Sequence, residues 1–144
     1  MNYLTQDLVF AANSKSNVAL LNDIARYSLG IKPIKRVRGK NRYNLAALGR
    51  AYLKGSLEKL CIPTSHIPEM FTRVHWEAFD YAVDQLETGE IDHLYVVFLC
   101  FEPDEDFSGI ATNPKELSDI AEELGHFTAI GVHDFLKLKL EGFL

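Results

Sequence analysis

Cysteine is scarce in this sequence. Cys61 and Cys100 are its only two, too few to staple a small secreted domain. Both lie on apolar segments and are expected as reduced core residues. No apolar run approaches the ~18 residues needed to span a bilayer, and Leu94 to Phe101 is only strand length. Met1 to Ala11 shows no basic flank followed by an apolar stretch, so no secretory signal is expected there. These absences point to a cytoplasmic chain with no membrane partner.

Catalytic and metal patterns are equally thin. Five histidines, His66, His75, His93, His126 and His133, show no HxxxH spacing, and the cysteines form no CxxC. No metal is expected. Asp104-Glu105-Asp106 lacks the spaced ligands and terminal glutamate of a calcium loop and reads as a solvated turn. Gly30 and Gly39 belong to no phosphate-loop spacing, and there is no GxSxG or paired-carboxylate arrangement. Without a visible grouping of acid, base and nucleophile, neither an enzyme nor a cofactor is expected.

What is present is charge, unevenly placed. The overall −5 conceals two halves of opposite sign. Up to His75, twelve lysines and arginines face four carboxylates, a net +8; beyond it, three lysines face sixteen carboxylates, a net −13. Such asymmetry suggests a polyanion-binding module joined to an acidic one that does not touch the polyanion. The resulting field draws phosphate toward one end and repels it from the other.

Local signals organise the basic half. Thr5 can cap a first helix whose apolar face is Leu8, Val9 and Ala12. Asn13 to Asn17 is a turn. A second helix runs from about Val18 to Leu29 with Leu21, Ile24, Ala25 and Leu29 facing inward, ended by Gly30 as a left-handed cap and by Pro33. Two extended pieces then flank a hairpin tip at Gly39-Lys40-Asn41. Asn44 can cap a third helix, Leu45 to about Leu60, with the stripe Leu45, Leu48, Tyr52, Leu53 and Leu57. Pro63 closes it. Ser65 or His66 opens a fourth helix, with Pro68 in its first turn, continuing as far as Gly89. Its stripe of Trp76, Phe79, Val83 and Leu86 suits a core or a dimer seam.

In the acidic half, Leu94 to Phe101 reads as a strand covered on both faces. The acidic turn Glu102 to Asp106 leads to a short strand at Gly109-Ile110-Ala111. Asn113-Pro114-Lys115-Glu116 resembles a capping box opening a helix that ends at Gly125. Phe127 to Val132 forms another strand, and Asp134 caps a last helix ending near Leu140. No repeat or low-complexity linker is present, so the boundary near Gly89 to Asp92 is soft.

The order helix, turn, helix, basic hairpin, helix suits DNA recognition. A helix can read base edges in the major groove while a hairpin grips the flanking backbone. Lys35, Arg36, Arg38, Lys40 and Arg42 supply the hairpin's cations, and arginine can fork to phosphate oxygens. On the preceding helix, Asn17, Asn22, Arg26 and Tyr27 are polar groups able to reach bases or phosphates.

Arg26-Tyr27, then Gly30-Ile31-Lys32-Pro33, then Arg36, Gly39 and Arg42-Tyr43 resemble the winged helix of the mercury-resistance-regulator (MerR) family. The next helix, with Leu45, Leu48, Leu53 and Leu57 before Ile62-Pro63 and Ile67, extends the resemblance over roughly Leu4 to Phe71. It implies a homodimer on double-stranded DNA, with Arg26 and Tyr27 in the recognition helix and Arg36, Arg38, Arg42 and Tyr43 in the wing. The family's metal-sensing cysteine loop has no counterpart, and its long dimer helix has at most a short one, Trp76 to Leu86.

The expected architecture is therefore α+β: an N-terminal winged helix-turn-helix over 1–89 and a small acidic α+β unit over 90–144, which senses a protein or small-molecule effector or dimerises. The expected function is DNA-binding transcription regulation. The contrasting reading is a protein-interaction module, antitoxin-like or adaptor, whose basic wing meets an acidic partner.

Overall fold

Caps and close backbone approaches set the helices of this chain. The computed structural model describes residues 2–98, 108–125 and 127–143. It is mixed α and β, with seven α-helices and two small antiparallel sheets among those residues. The chain divides into two compact units, Met1–Phe71 and Thr72–Leu144. The division falls earlier than the boundary expected near Gly89 to Asp92, so the helix beginning at Trp76 groups with the acidic unit.

In the first unit, helix α1 spans Thr5–Ala12. Thr5 is its first helical residue rather than its cap. Leu4 occupies the cap position in extended conformation, and the Asp7 carboxylate accepts the Leu4 N–H at 2.8 Å. Asn13 at φ 52 ends the helix. Ser16 then caps helix α2, Asn17–Tyr27, its Oγ accepting the Ala19 N–H at 3.1 Å. Ser28 at φ 51 closes α2, so the helix stops before Gly30, the cap expected from composition.

The inward face of α2 also differs from expectation. Leu20 is fully buried, whereas Leu21 is 38% exposed and Ala25 faces solvent. The neighbouring leucines give the periodicity two solutions. Leu20, with Ile24 and Tyr27 partly covered, is the one that packs.

Strands β1 (Lys35–Val37) and β2 (Lys40–Arg42) form an antiparallel hairpin, pairing Lys35 with Arg42, Arg36 with Asn41 and Val37 with Lys40. The tip is therefore Arg38-Gly39, one residue before the expected position. Tyr3 and Tyr43 exchange two backbone hydrogen bonds of 2.8 Å, which fastens the chain's start beside the hairpin. Helix α3, Leu45–Lys59, begins where Asn44 Oδ1 accepts the Ala47 N–H at 2.9 Å. Its Leu45, Leu48, Leu53 and Leu57 are buried as their spacing requires, with Tyr52 partly covered. Beyond it, Cys61 is exposed at φ 64, not buried as its apolar neighbours suggested.

A 3-10 turn, Thr64–His66, leads into α4, Ile67–Arg73, which buries Ile67, Met70 and Phe71. The single helix expected through Gly89 is broken here. His75 Nδ1 accepts the Ala78 N–H at 3.3 Å and starts a separate α5, Trp76–Thr88, which Gly89 ends at φ 80.

The second unit centres on β3, Tyr95–Phe98, flanked by β4 (Ser108–Ala111) and β5 (Thr128–Gly131) in the order β4-β3-β5. Both pairings are antiparallel, and Val96, Val97 and Phe98 are buried. The expected strand end at Leu99 to Phe101, with Cys100, and the acidic turn Glu102 to Asp106 lie outside the described residues. Helix α6, Pro114–Leu124, is capped by Asn113 Oδ1, 2.9 Å from the Glu116 nitrogen, while Glu116 Oε2 accepts the Thr112 N–H at 2.8 Å. Gly125 closes it as expected. In helix α7, His133–Leu140, Val132 holds the cap position and Asp134 sits within the first turn, not before it. Helices α5 and α7 pack together.

Helix α1 lies principally on α3, and the approach is closest at Gly55. A Cβ there would stand 2.5 Å from the Ala12 carbonyl oxygen and 2.7 Å from its carbon. Glycine in a helix interior ordinarily costs about 1 kcal/mol relative to alanine. Here the sign reverses, because a backbone cannot yield as a side-chain tip can. Gly55→Ala is expected to lower unfolding free energy by about 2 kcal/mol in urea denaturation, the cost of overpacking. A stabilised variant would show that α1 and α3 do not meet at this point.

Candidate nucleic-acid interface

The hairpin tip demands positive φ at two consecutive residues, the geometry of a type I′ turn. Gly39, at φ 77, adopts it without strain, but Arg38 sits at φ 52, where a side chain costs roughly 1 kcal/mol or more. Asparagine would suit that position better. Instead the tip carries a guanidinium into solvent. Lys35, Arg36 and Lys40 are also exposed, and Arg42 is partly covered.

The hairpin's inner edge forms one wall of a cleft of about 300 Å³. Arg36, Gly39, Lys40 and Asn41 line it from the hairpin; Leu4, Thr5 and Gln6 line it from the start of α1; Asn17 lines it from the first turn of α2. None of these residues is acidic. The first N–H groups of a helix have no helical acceptor, so the Thr5 and Gln6 end of α1 adds donors to the two cations. The lining of this cleft thus offers two cations and helix-end donors and no carboxylate.

Farther along α2, Asn22 and Arg26 are exposed and Tyr27 is partly buried. The Arg26 guanidinium stands over the Tyr27 ring, 5.4 Å from its centroid, which steadies a long side chain without neutralising it. Tyr43 is different. Expected in the wing among the DNA-binding residues, it is only 1% exposed and belongs to the core beside Tyr3. Its short distance from the cations in sequence hid that role, since the partner that buries its backbone lies forty residues earlier.

Where the acids of the basic half go explains why the hairpin's cations stay unpaired. Lys54, 2% exposed, lies 3.3 Å from Asp23 Oδ2 and donates a hydrogen bond to Glu58 Oε1. Glu58 Oε2 in turn accepts from Thr64 Oγ1 at 2.8 Å. Asp7 is held at the head of α1. Three of the four carboxylates before His75 are thus committed to internal structure. Among the described residues, Arg26, Lys35, Arg36, Arg38, Lys40 and Arg42 take part in no ion pair. No spacing of residues marks the Lys54 cluster, which joins side chains on three separate elements.

His75, His93 and His133 serve other ends. His75 caps α5, and the buried His133 has Nδ1 3.2 Å from the Leu94 nitrogen, with its ring 4.9 Å from that of His93. Among the described residues, no group of three or more His, Cys, Asp or Glu side chains is placed to hold a metal ion. Nor is any described helix long and apolar enough to cross a membrane. The acidic unit carries an open cleft of about 410 Å³ between the end of α5 and the end of α7, where Lys137 lies 3.6 Å from Asp92.

Arg38 provides a direct test of the tip. Arg38→Asn is expected to raise unfolding stability by about 0.5–1 kcal/mol, because asparagine tolerates the left-handed region, while removing one cation from the hairpin. A loss of stability in urea denaturation would contradict the type I′ tip.

No protein-family model matches the chain, and no curated protein matches its sequence.

Proposed function

We propose that this chain is a DNA-binding transcription regulator of the cytoplasm, gripping double-stranded DNA with its basic hairpin and presenting α2 to the major groove. In this reading α1, α2, the hairpin and α3 act as a winged helix-turn-helix, with the hairpin as wing. The observation that carries it is the acid-free cleft that joins Asn17 at the head of α2 to Arg36 and Lys40 of the hairpin. A duplex needs that pairing of roles, since phosphate contacts position a protein while a neighbouring helix specifies sequence. The resemblance of the Arg26 to Tyr43 segment to the MerR winged helix supports the same reading and adds a homodimer on paired half-sites. The acidic unit, repelled by phosphate, is left to dimerise or to bind a protein or small-molecule effector.

The salt dependence of binding tests this most simply. Affinity for duplex DNA is expected to fall linearly on a plot of log K against log salt concentration. Arg36→Ala and Lys40→Ala should each reduce the slope by about 0.9, one phosphate contact apiece, whereas Lys115→Ala on α6 leaves it unchanged. A wild-type protein that binds no duplex at low salt, or slopes untouched by both hairpin variants, overturns the proposal. Capture of an acidic protein partner that survives nuclease treatment would favour an interaction module instead.

A further inference from the structure

Helix α2 shows solvent a stripe that its sequence pattern would place partly inside. Val18 is 68% exposed and Leu21 38%, and Asn22, Ala25 and Arg26 are exposed with them. Positions 18, 21, 22, 25 and 26 recur at the three- and four-residue spacing of one helix face. The only carboxylate of α2, Asp23, is turned toward Lys54. The stripe therefore mixes apolar groups, one amide and one guanidinium, with no acid.

That mixture matches the edge of a DNA major groove more closely than it matches water. The thymine 5-methyl is the apolar group displayed there, asparagine pairs in two-pronged fashion with adenine N6 and N7, and arginine with guanine O6 and N7. A helix 10–12 Å across also fits a groove about 12 Å wide. We infer that Val18, Leu21 and Ala25 read thymine 5-methyl groups, so that α2 selects T-containing steps beside bases bonded by Asn22 and Arg26. The inference rests on the DNA-binding reading above and adds what the helix selects. A duplex, and not an apolar protein surface, is the occupant because the stripe starts next to Asn17, which shares its cleft with unpaired Arg36 and Lys40.

The test begins from a duplex enriched out of random sequence by the wild-type protein. Replacing its thymines with deoxyuridine deletes only the 5-methyl groups and leaves base pairing intact. Wild-type affinity is expected to fall about fourfold for each contacted methyl, the equivalent of ~0.8 kcal/mol per buried methyl-sized group. In Val18→Ala and Leu21→Ala, both exposed sites where alanine favours the helix, the penalty at the contacted thymine should shrink toward none. Equal affinity of wild type for both duplexes, or a penalty unchanged in both variants, overturns the inference while leaving DNA binding intact. Failure to bind any duplex removes both together. Sedimentation of the free protein separates the remaining occupant: a dimer dissociated by Leu21→Arg would place a second copy on the stripe and overturn the inference, whereas unchanged sedimentation supports it.

Discussion

The ammonium of Lys54, shut away from water between Asp23 and Glu58, is the constraint on which the arrangement of the basic unit depends. Helix α2 buries few apolar groups of its own, with Leu20 as its one fully covered side chain. A helix so lightly anchored could rotate by one residue at small hydrophobic cost. The bond from Lys54 to Asp23 removes that freedom, because a buried cation that loses a carboxylate partner costs several kcal/mol. It thereby fixes which side of α2 meets α3 and which side meets solvent. Thr64, through Glu58, ties the chain beyond α3 into the same cluster.

A consequence reaches the surface. Carboxylates absorbed by Lys54 and by the cap of α1 are unavailable to neutralise the hairpin, so the cations there keep their full field. Coulombic attraction near a surface remains worth a few kcal/mol at contact distance and is screened within about 10 Å at moderate salt. A cluster such as Arg36, Arg38 and Lys40, confined to a few residues, therefore acts locally. In the proposed reading it draws a phosphate chain to the hairpin, while the net −13 beyond His75 offers that chain no attraction.

How much of this was legible in the sequence follows the range of the interactions. Caps made within three or four residues were readable: Asn44 for α3, Asn113 for α6, and the closing glycines Gly89 and Gly125. So were the buried leucines of α3 and the central strand. The break at His75 was not, because an imidazole serving as a helix cap is outside the usual Ser, Thr, Asp and Asn signal. The Arg38 tip escaped notice for a similar reason, since a non-glycine residue at positive φ leaves no mark in composition. Leu20 against Leu21 could not be decided from spacing alone. The deciding contact is Asp23 with Lys54, thirty-one residues apart. The candidate site was legible as a charge cluster, but its apolar members on α2 emerged only once the helix's rotation was fixed.

The most direct test of the central claim is a nuclear magnetic resonance titration of isotope-labelled full-length protein with a duplex at low salt, following backbone amides residue by residue. The amides of Asn17, Asn22 and Arg26 should move together with those of Arg36, Arg38 and Lys40, while β3, β5 and α7 stay fixed. Shifts confined to the acidic unit, or a hairpin that responds while α2 does not, would contradict a single duplex-binding surface built from both.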